Sequence, residues 1–145
     1  MKVDALFLAD AADVFNGKAY IHGGAIDTIF TAALPTLSRF DVVVIFRCPW
    51  GETNQMHQVS ADILDGDGNS LLPAAQQSIQ VVFGRPPMLG QGEDQMQALV
   101  IHNPGLMLNT SGAHAVVVRI DGEDAWRVPF YVRSGSGIGQ QAPTS

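Results

Sequence analysis

Between Ala113 and Arg133 the chain carries two stretches in which apolar residues recur at every second position, separated by Asp121-Gly122-Glu123. This pattern admits little besides a β hairpin, because successive strand side chains point to opposite faces. Val116, Val118 and Ile120 point one way, with Ala115, Val117 and Arg119 on the other side. In the second strand Trp126, Val128, Phe130 and Val132 form the apolar set, against Ala125, Arg127, Pro129, Tyr131 and Arg133. Both sets need one shared face, so Val118 must lie opposite Trp126 or Val128. That requires an odd number of connecting residues or a bulge, since a plain two-residue turn sets Val118 against Arg127. The spacing therefore predicts a turn of three or more residues centred on Gly122, with Trp126 in the core. Pro129 has no amide proton, so its nitrogen is expected to face a sheet edge or a bulge.

The same reading extends along the chain. Val3 to Ala9 is a strand apolar on both faces, and Asn16-Gly17 is a hairpin turn because both central residues of a type I′ turn need positive φ. Lys18 to His22 returns as a strand, Gly23-Gly24 allows a bend, Ala25 to Phe30 alternates again, and Ala32 to Ser38 connects. Phe40 to Cys48, with Val42, Val43, Val44, Ile45 and Phe46 in succession, is the candidate central strand. Pro49, Trp50 and Gly51 break it, and Glu52 to Gln55 suits one helical turn or a loop. Met56 to Leu64 is a strand, and Asp65-Gly66-Asp67-Gly68-Asn69 turns the chain. A strand from near Gln76 carries Ile79, Val81 and Phe83, and Gly84 to Asp94 is a long loop. Gln97 to His102 is a strand, Pro104-Gly105 turns, and Leu106 to Leu108 is a short edge strand. No segment sustains a helical apolar period. Strands recurring about every ten residues with turn chemistry between them predict an all-β, antiparallel sandwich or jelly roll of about eight strands. Residues 1–133 form one domain in this reading, and 134–145 a flexible tail.

Composition narrows the partners. The net charge is −6 and the eight basic residues form no cluster of the kind that tracks a phosphate backbone, which excludes nucleic acid as an expected partner. The apolar run Ala5 to Ala9 is too short for a signal-peptide core or a membrane span, so a cytoplasmic protein without membrane contact is expected. Only 15% of residues are charged, against about 25% in an average soluble domain. That shortfall points to self-association. The single cysteine, Cys48, excludes an internal disulfide and reads as a packed small hydrophobe.

Each chemical motif has a structural competitor. Asp65, Asp67 and Asn69 have the spacing of a calcium loop, but Ser70 stands where glycine is needed and Gln76 where a bidentate glutamate is needed, so the segment reads as a turn. The histidines, His22, His57, His102 and His114, pair at no metal-ligand spacing, and neither metal nor cofactor is expected. His22-Gly23-Gly24 lacks a nucleophile elbow to serve, and Gly135-Ser136-Gly137 has no following helix. Trp50, in a Pro-Trp-Gly turn, is the plausible exposed ring. Arg85-Pro86-Pro87 is a stiff loop that could present a polyproline segment to a partner.

Met1 to Ala12, Gly23-Gly24, Cys48-Pro49-Trp50, Gly84-Arg85-Pro86-Pro87 and the closing valine-rich hairpin resemble an uncharacterised family of small bacterial proteins, also carried by phages. The resemblance implies one compact unit, and a place in the virion if phage-encoded; it implies no activity. The leading expectation is a non-catalytic sandwich that binds another protein or copies of itself as an accessory or assembly component. Trp50, Arg85, Pro86 and Pro87 are its candidate binding residues. A carbohydrate or small-molecule module, with Trp50 and Gly84 to Asp94 lining the site, is the alternative. An enzyme would need His22 or His57 to converge with an acid such as Asp27 or Asp62.

Overall fold

The computed structural model describes residues 1–73 and 78–135. Over these the chain is all-β, with nine strands and one 3-10 turn. The strands are β1 (Lys2–Phe15), β2 (Lys18–Ile26), β3 (Thr28–Thr31), β4 (Thr36–Pro49), β5 (Met56–Leu64), β6 (Ser78–Val82), β7 (Asp94–Leu108), β8 (Gly112–Ile120) and β9 (Glu123–Ser134). They form two sheets, A in the order β2-β1-β4-β7 and B in the order β3-β9-β8-β5-β6. Every pairing is antiparallel except β3 with β9, which is parallel. The start expected near Gln76 and the tail beyond Gly135 lie outside the described residues; β9 itself continues through Ser134, and the Gly135 amide bonds to Thr31 O.

Alternation places the core between the sheets. Leu6 and Leu8 from β1, Val42, Val44 and Phe46 from β4, Val59 and Ile63 from β5, Val116 and Val118 from β8, and Phe130 and Val132 from β9 are all buried there. Each such side chain contributes about 1.5–3 kcal/mol relative to exposure. Aromatic rings fix the two ends: Phe40 meets Phe130 edge-on at 6.0 Å, and Phe46 lies 5.8 Å from Phe83. Cys48 is fully buried, and burial pushes its thiol pKa up.

The last hairpin departs from expectation at its turn. Ile120 pairs with Glu123, leaving only Asp121 and Gly122 as connecting residues, both at positive φ (52° and 85°) as a type I′ turn requires. The register then slips between Val118 and Arg119, so Ala125 is the extra residue and Val118 does face Trp126. Thus a tight turn plus a bulge replaces the predicted longer turn. Trp126 is also not in the core: it is 50% exposed, because β3 flanks β9 only from Tyr131 onward and leaves the edge open beside the ring. Tyr131 donates its amide to Asp27 O on the β3 side, and alternation turns the Pro129 nitrogen to that same side, where the edge is bare, as expected.

Three other boundaries moved. β7 is one continuous strand: Pro104 and Gly105 make a bulge opposite Arg39 instead of a turn, since the ladder passes from Phe40↔Asn103 to Ser38↔Leu106. The expected strand Ala25 to Phe30 is split at Asp27, where the chain leaves sheet A and enters sheet B. The helical turn falls on Trp50–Glu52, ahead of the expected Glu52 to Gln55.

Candidate functional site

The Pro49-Trp50 corner ends β4 and the loop after β6 returns to it, so Trp50 and Arg85 meet from 35 positions apart. The Arg85 guanidinium carbon stands 3.7 Å from the centre of the Trp50 ring. Its Nη2 donates to Trp50 O at 2.9 Å and its Nε to Thr53 Oγ1 at 2.7 Å; Thr53 Oγ1 in turn donates to Trp50 O at 2.7 Å. The Arg85 amide donates to Asn54 Oδ1, and the Trp50 amide to Glu93 O. Arg85 is therefore a cross-tie that holds the 3-10 turn to the loop, with Thr53 buried beneath it. Pro86 and Pro87 are exposed beside it, and Met88 projects at 93% exposure. The candidate binding residues thus form one surface. One face of the Trp50 ring is covered by the chain's own arginine and is closed to a stacking sugar.

A second constellation joins the same turn to the last hairpin. His57, buried at the start of β5, donates from Nδ1 to Asp121 Oδ2 and from Nε2 to Glu52 O, both at 2.9 Å. Both partners are acceptors, so both ring nitrogens must carry protons. The bond to Asp121 accordingly raises the His57 pKa, helped by the Glu52 carbonyl, and Asp121 is held below the usual carboxylate range by His57 and the Gln58 amide. The amine of Met1 pairs with the Glu52 carboxylate. These groups border an open cleft of about 490 Å³ that Glu123 and Asp124 make acidic. No spacing signalled this contact, since the two residues are 64 positions apart; the Asp-Gly turn marked Asp121 but not its partner.

Of the convergences expected of an enzyme, one between a histidine and an acid is present, but the acid is Asp121 and not Asp27 or Asp62. Both of the His57 ring nitrogens are engaged, Nδ1 by Asp121 and Nε2 by Glu52 O. The Asp62 carboxylate accepts from the Ile63 amide and the Ser70 hydroxyl, while His22 and Asp27 are exposed at separate points of β2 and the crossing after it. Asp65 Oδ1 accepts the amides of Asp67 and Asn69, which lowers its pKa, so the calcium-like segment is a turn closed on its own backbone. No group of three or more His, Cys, Asp or Glu among the described residues is placed to share a metal ion. Gly23 takes a φ of 62° and lies against the Asp10 side chain, which leaves no room for a Cβ, so His22-Gly23-Gly24 serves the bend of β2. Gly135-Ser136-Gly137 falls mostly outside the described residues.

The two outer faces contrast. On sheet A, Phe7, Val43 and Val100 form one cross-strand row and Ala5, Ile45 and Ala98 the next. Met96 extends this block at one end, and Leu37 with Met107 is a separate apolar pair beyond Asp41 and His102, all three about half exposed. Arg47 with Asp4 and Asp94 brackets one end, and Asp41 with His102 the other. On sheet B the central rows are Gln58 with Gln80, Ser78 with Ser60 and Arg119, and Asp62 with Val117 and Arg127, while Met56 with Val82 at one edge and Phe30 and Tyr131 at the other are apolar and exposed.

Residues 4–133 match the model of DUF6941, a family of unknown function, and the chain belongs to that family. No curated protein matches it. Among solved structures, the Pseudomonas fluorescens alkylpurine DNA glycosylase AlkC bound to DNA containing an abasic site analog is similar over 92% of this chain and 30% of that one. The identity is 14% and the TM-score 0.43. The chain thus spans less than a third of that protein, and nothing about activity follows from the likeness. No helix among the described residues is long and apolar enough to cross a membrane.

Proposed function

We propose that this member of a family of unknown function is a non-catalytic assembly component, whose working surface is the outer face of sheet A docked on another protein surface, including copies of itself. The observation that carries this reading is the contrast between the two outer faces. Sheet B keeps its exposed apolar residues apart, Met56 with Val82 at one edge and Phe30 with Tyr131 at the other, across a centre of amides, hydroxyls and charges. Sheet A instead carries Phe7, Ile45, Val100, Ala98 and Met96 as a contiguous apolar block, partly covered by Ala9 and Ala12 of β1 and framed by ion pairs. An apolar block with a polar rim is the composition of a protein interface core, and burial of each side chain in it favours association. The low overall charge supports the same reading.

Light scattering tests it with the native chain and with Ile45→Lys, whose ammonium reaches water at the face without entering the core. A mass above one chain that falls in Ile45→Lys supports docking through this face. A monomer at all concentrations, together with no difference between the two proteins in capture of host proteins, removes it.

The second reading is a small-molecule or carbohydrate site beside Trp50, favoured by the meeting of Trp50, Arg85, Pro86 and Pro87. It is weakened by the guanidinium already stacked on the ring. A thermal-shift screen of glycans and metabolites separates the two: a hit abolished by Trp50→Ala favours the ligand site.

A further inference from the structure

Sheet A ends on β7, and Asp94 to Asn103 is the longest regular edge in the protein. Ten consecutive pairs, Pro49↔Asp94 through Phe40↔Asn103, hold one register with β4 and no bulge. On its other side β7 has no strand in the sheet order, and no main-chain group of β7 bonds to a described segment beyond β4. Because a strand alternates its amides and carbonyls between its two sides, half of these groups point outward, ready for another strand.

The remaining edges are blunted. Residues 2–7 of β1, which β2 leaves unpaired, are blunted by Asp4 and the bulge between Val3 and Ala5. β2 is bent by a bulge, with positive φ at Gly23 and Ala25. β3 has four residues and β6 five. The open part of β9 carries Glu123, Asp124, Arg127 and Pro129. Charges, prolines, bulges and shortness are the devices that prevent strand addition. From Asp94 to Asn103 there is no Lys, Arg, Pro or Gly and no bulge, and the ionisable groups are Asp94 at one end and His102 near the other.

We propose that this edge pairs antiparallel with β7 of a second copy, about a two-fold axis at Ala98, joining the two A sheets into one of eight strands. The register follows from the residues. Outer-face residues must oppose outer-face residues, so the axis passes through a residue and not between two. With the axis at Ala98, Asp94 opposes His102 of the second copy, Met96 opposes Val100, and Ala98 opposes Ala98, all on the outer face. The acid and the imidazole therefore meet at both ends, and each already has a partner of opposite character: Arg47 lies 3.2 Å from Asp94, and Asp41 lies 3.1 Å from His102. An axis at Gln97 sets Asp94 against Val100, and one at Leu99 sets it against Pro104, which cannot donate to a ladder. An isologous contact of this kind is self-complementary, so the matching occupant is the chain itself. This edge contact is separate from the apolar face and does not depend on what docks there.

Single-cysteine linking tests the contact and its register, because the native Cys48 is fully buried and silent to a mild oxidant. Light scattering of the full chain is expected to give twice the 15.5 kDa mass. Ala98→Cys is expected to form a covalent dimer on oxidation, since opposed strand residues fall within disulfide reach. Met96→Cys and Val100→Cys are each expected to stay unlinked alone and to link when mixed. Ala98→Lys, with two ammonium groups at the axis and an unchanged far-ultraviolet circular dichroism spectrum, is expected to return the protein to a monomer. A native chain that stays monomeric at high concentration overturns the dimer. An oligomer in which the Ala98→Cys protein does not link, or in which the Met96→Cys protein links alone as readily, overturns this edge and register while leaving the apolar-face reading in place.

Discussion

Replacing His57 by glutamine removes the titrating group that ties the 3-10 turn to the last hairpin while keeping an amide able to donate. In the native chain the imidazolium donates to Asp121 Oδ2 and Glu52 O, each at 2.9 Å. A hydrogen bond to a charged group is worth about 1.5–3 kcal/mol net, and the half-exposed Asp121 side chain brings this pair toward about 1–2 kcal/mol. The folded pKa of His57 is raised above its unfolded value of about 6.5, so its contribution is complete below that pH and is lost as pH rises through the folded value. The folded pKa of Asp121 is depressed, so its contribution is present above about pH 4 and is lost as pH falls through the folded value. The pair therefore stabilises most between about pH 4 and 6.5. Urea unfolding followed by the fluorescence of Trp50 and Trp126 is expected to show His57→Gln less stable by about 1–2 kcal/mol at about pH 5.5, or about 3–7 °C in Tm. The gap is expected to narrow as pH rises through the folded pKa of His57, where the native imidazole becomes neutral and one acceptor is left unpaired. Subtracting the variant from the native chain cancels contributions common to both. A stability gap that does not change with pH, or nitrogen chemical shifts of a neutral His57 at about pH 6, would refute the reasoning.

Arg85→Met, which keeps the aliphatic stem but loses the bonds to Trp50 O and Thr53 Oγ1, is expected to cost about 1–3 kcal/mol and to shift Trp50 emission as the ring loses its cover, read by fluorescence and urea titration. Phe130→Ala, at a fully buried position against Phe40 and His114, is expected to cost about 3–5 kcal/mol, and a Tm loss of only a few degrees would show that the core there collapses freely. Calcium is expected to leave Tm unchanged, because the Asp65 carboxylate is already committed to its own turn; a concentration-dependent rise would contradict that.

The β architecture was legible because period-two burial is a local signal; β5 has the expected bounds, while β1 runs on past Ala9 to Phe15 and β4 starts at Thr36, inside the expected connection. What period two does not carry is which sheet a strand joins: nothing between Ala25 and Phe30 marks the crossing at Asp27. Bulges defeated the reading twice, since Pro104-Gly105 and Ala125 each insert residues that a strict alternation treats as a break or a change of face. For the site, aromatic and arginine positions in loops marked Trp50 and Arg85, while their contact, which occupies one side of the ring, is a tertiary fact. The His57–Asp121 bond is of the same kind. The apolar outer face was present as strands apolar on both sides, but its extent needed the β4–β7 register to bring Val100 and Ala98 beside Val43 and Ile45.

The parallel pairing of Thr28–Thr31 with Tyr131–Ser134 has a kinetic corollary. It ties an early segment to the last strand across some hundred residues, so closure of that loop comes with a large entropic cost and the fold has high contact order. During synthesis the first hairpin and the β1–β4 pairing can form early, but the edge partner of β3 does not exist until the last strand has left the ribosome. Until then the part of the interior that Phe130 and Val132 complete stays open, and transiently exposed apolar surface of this kind favours aggregation.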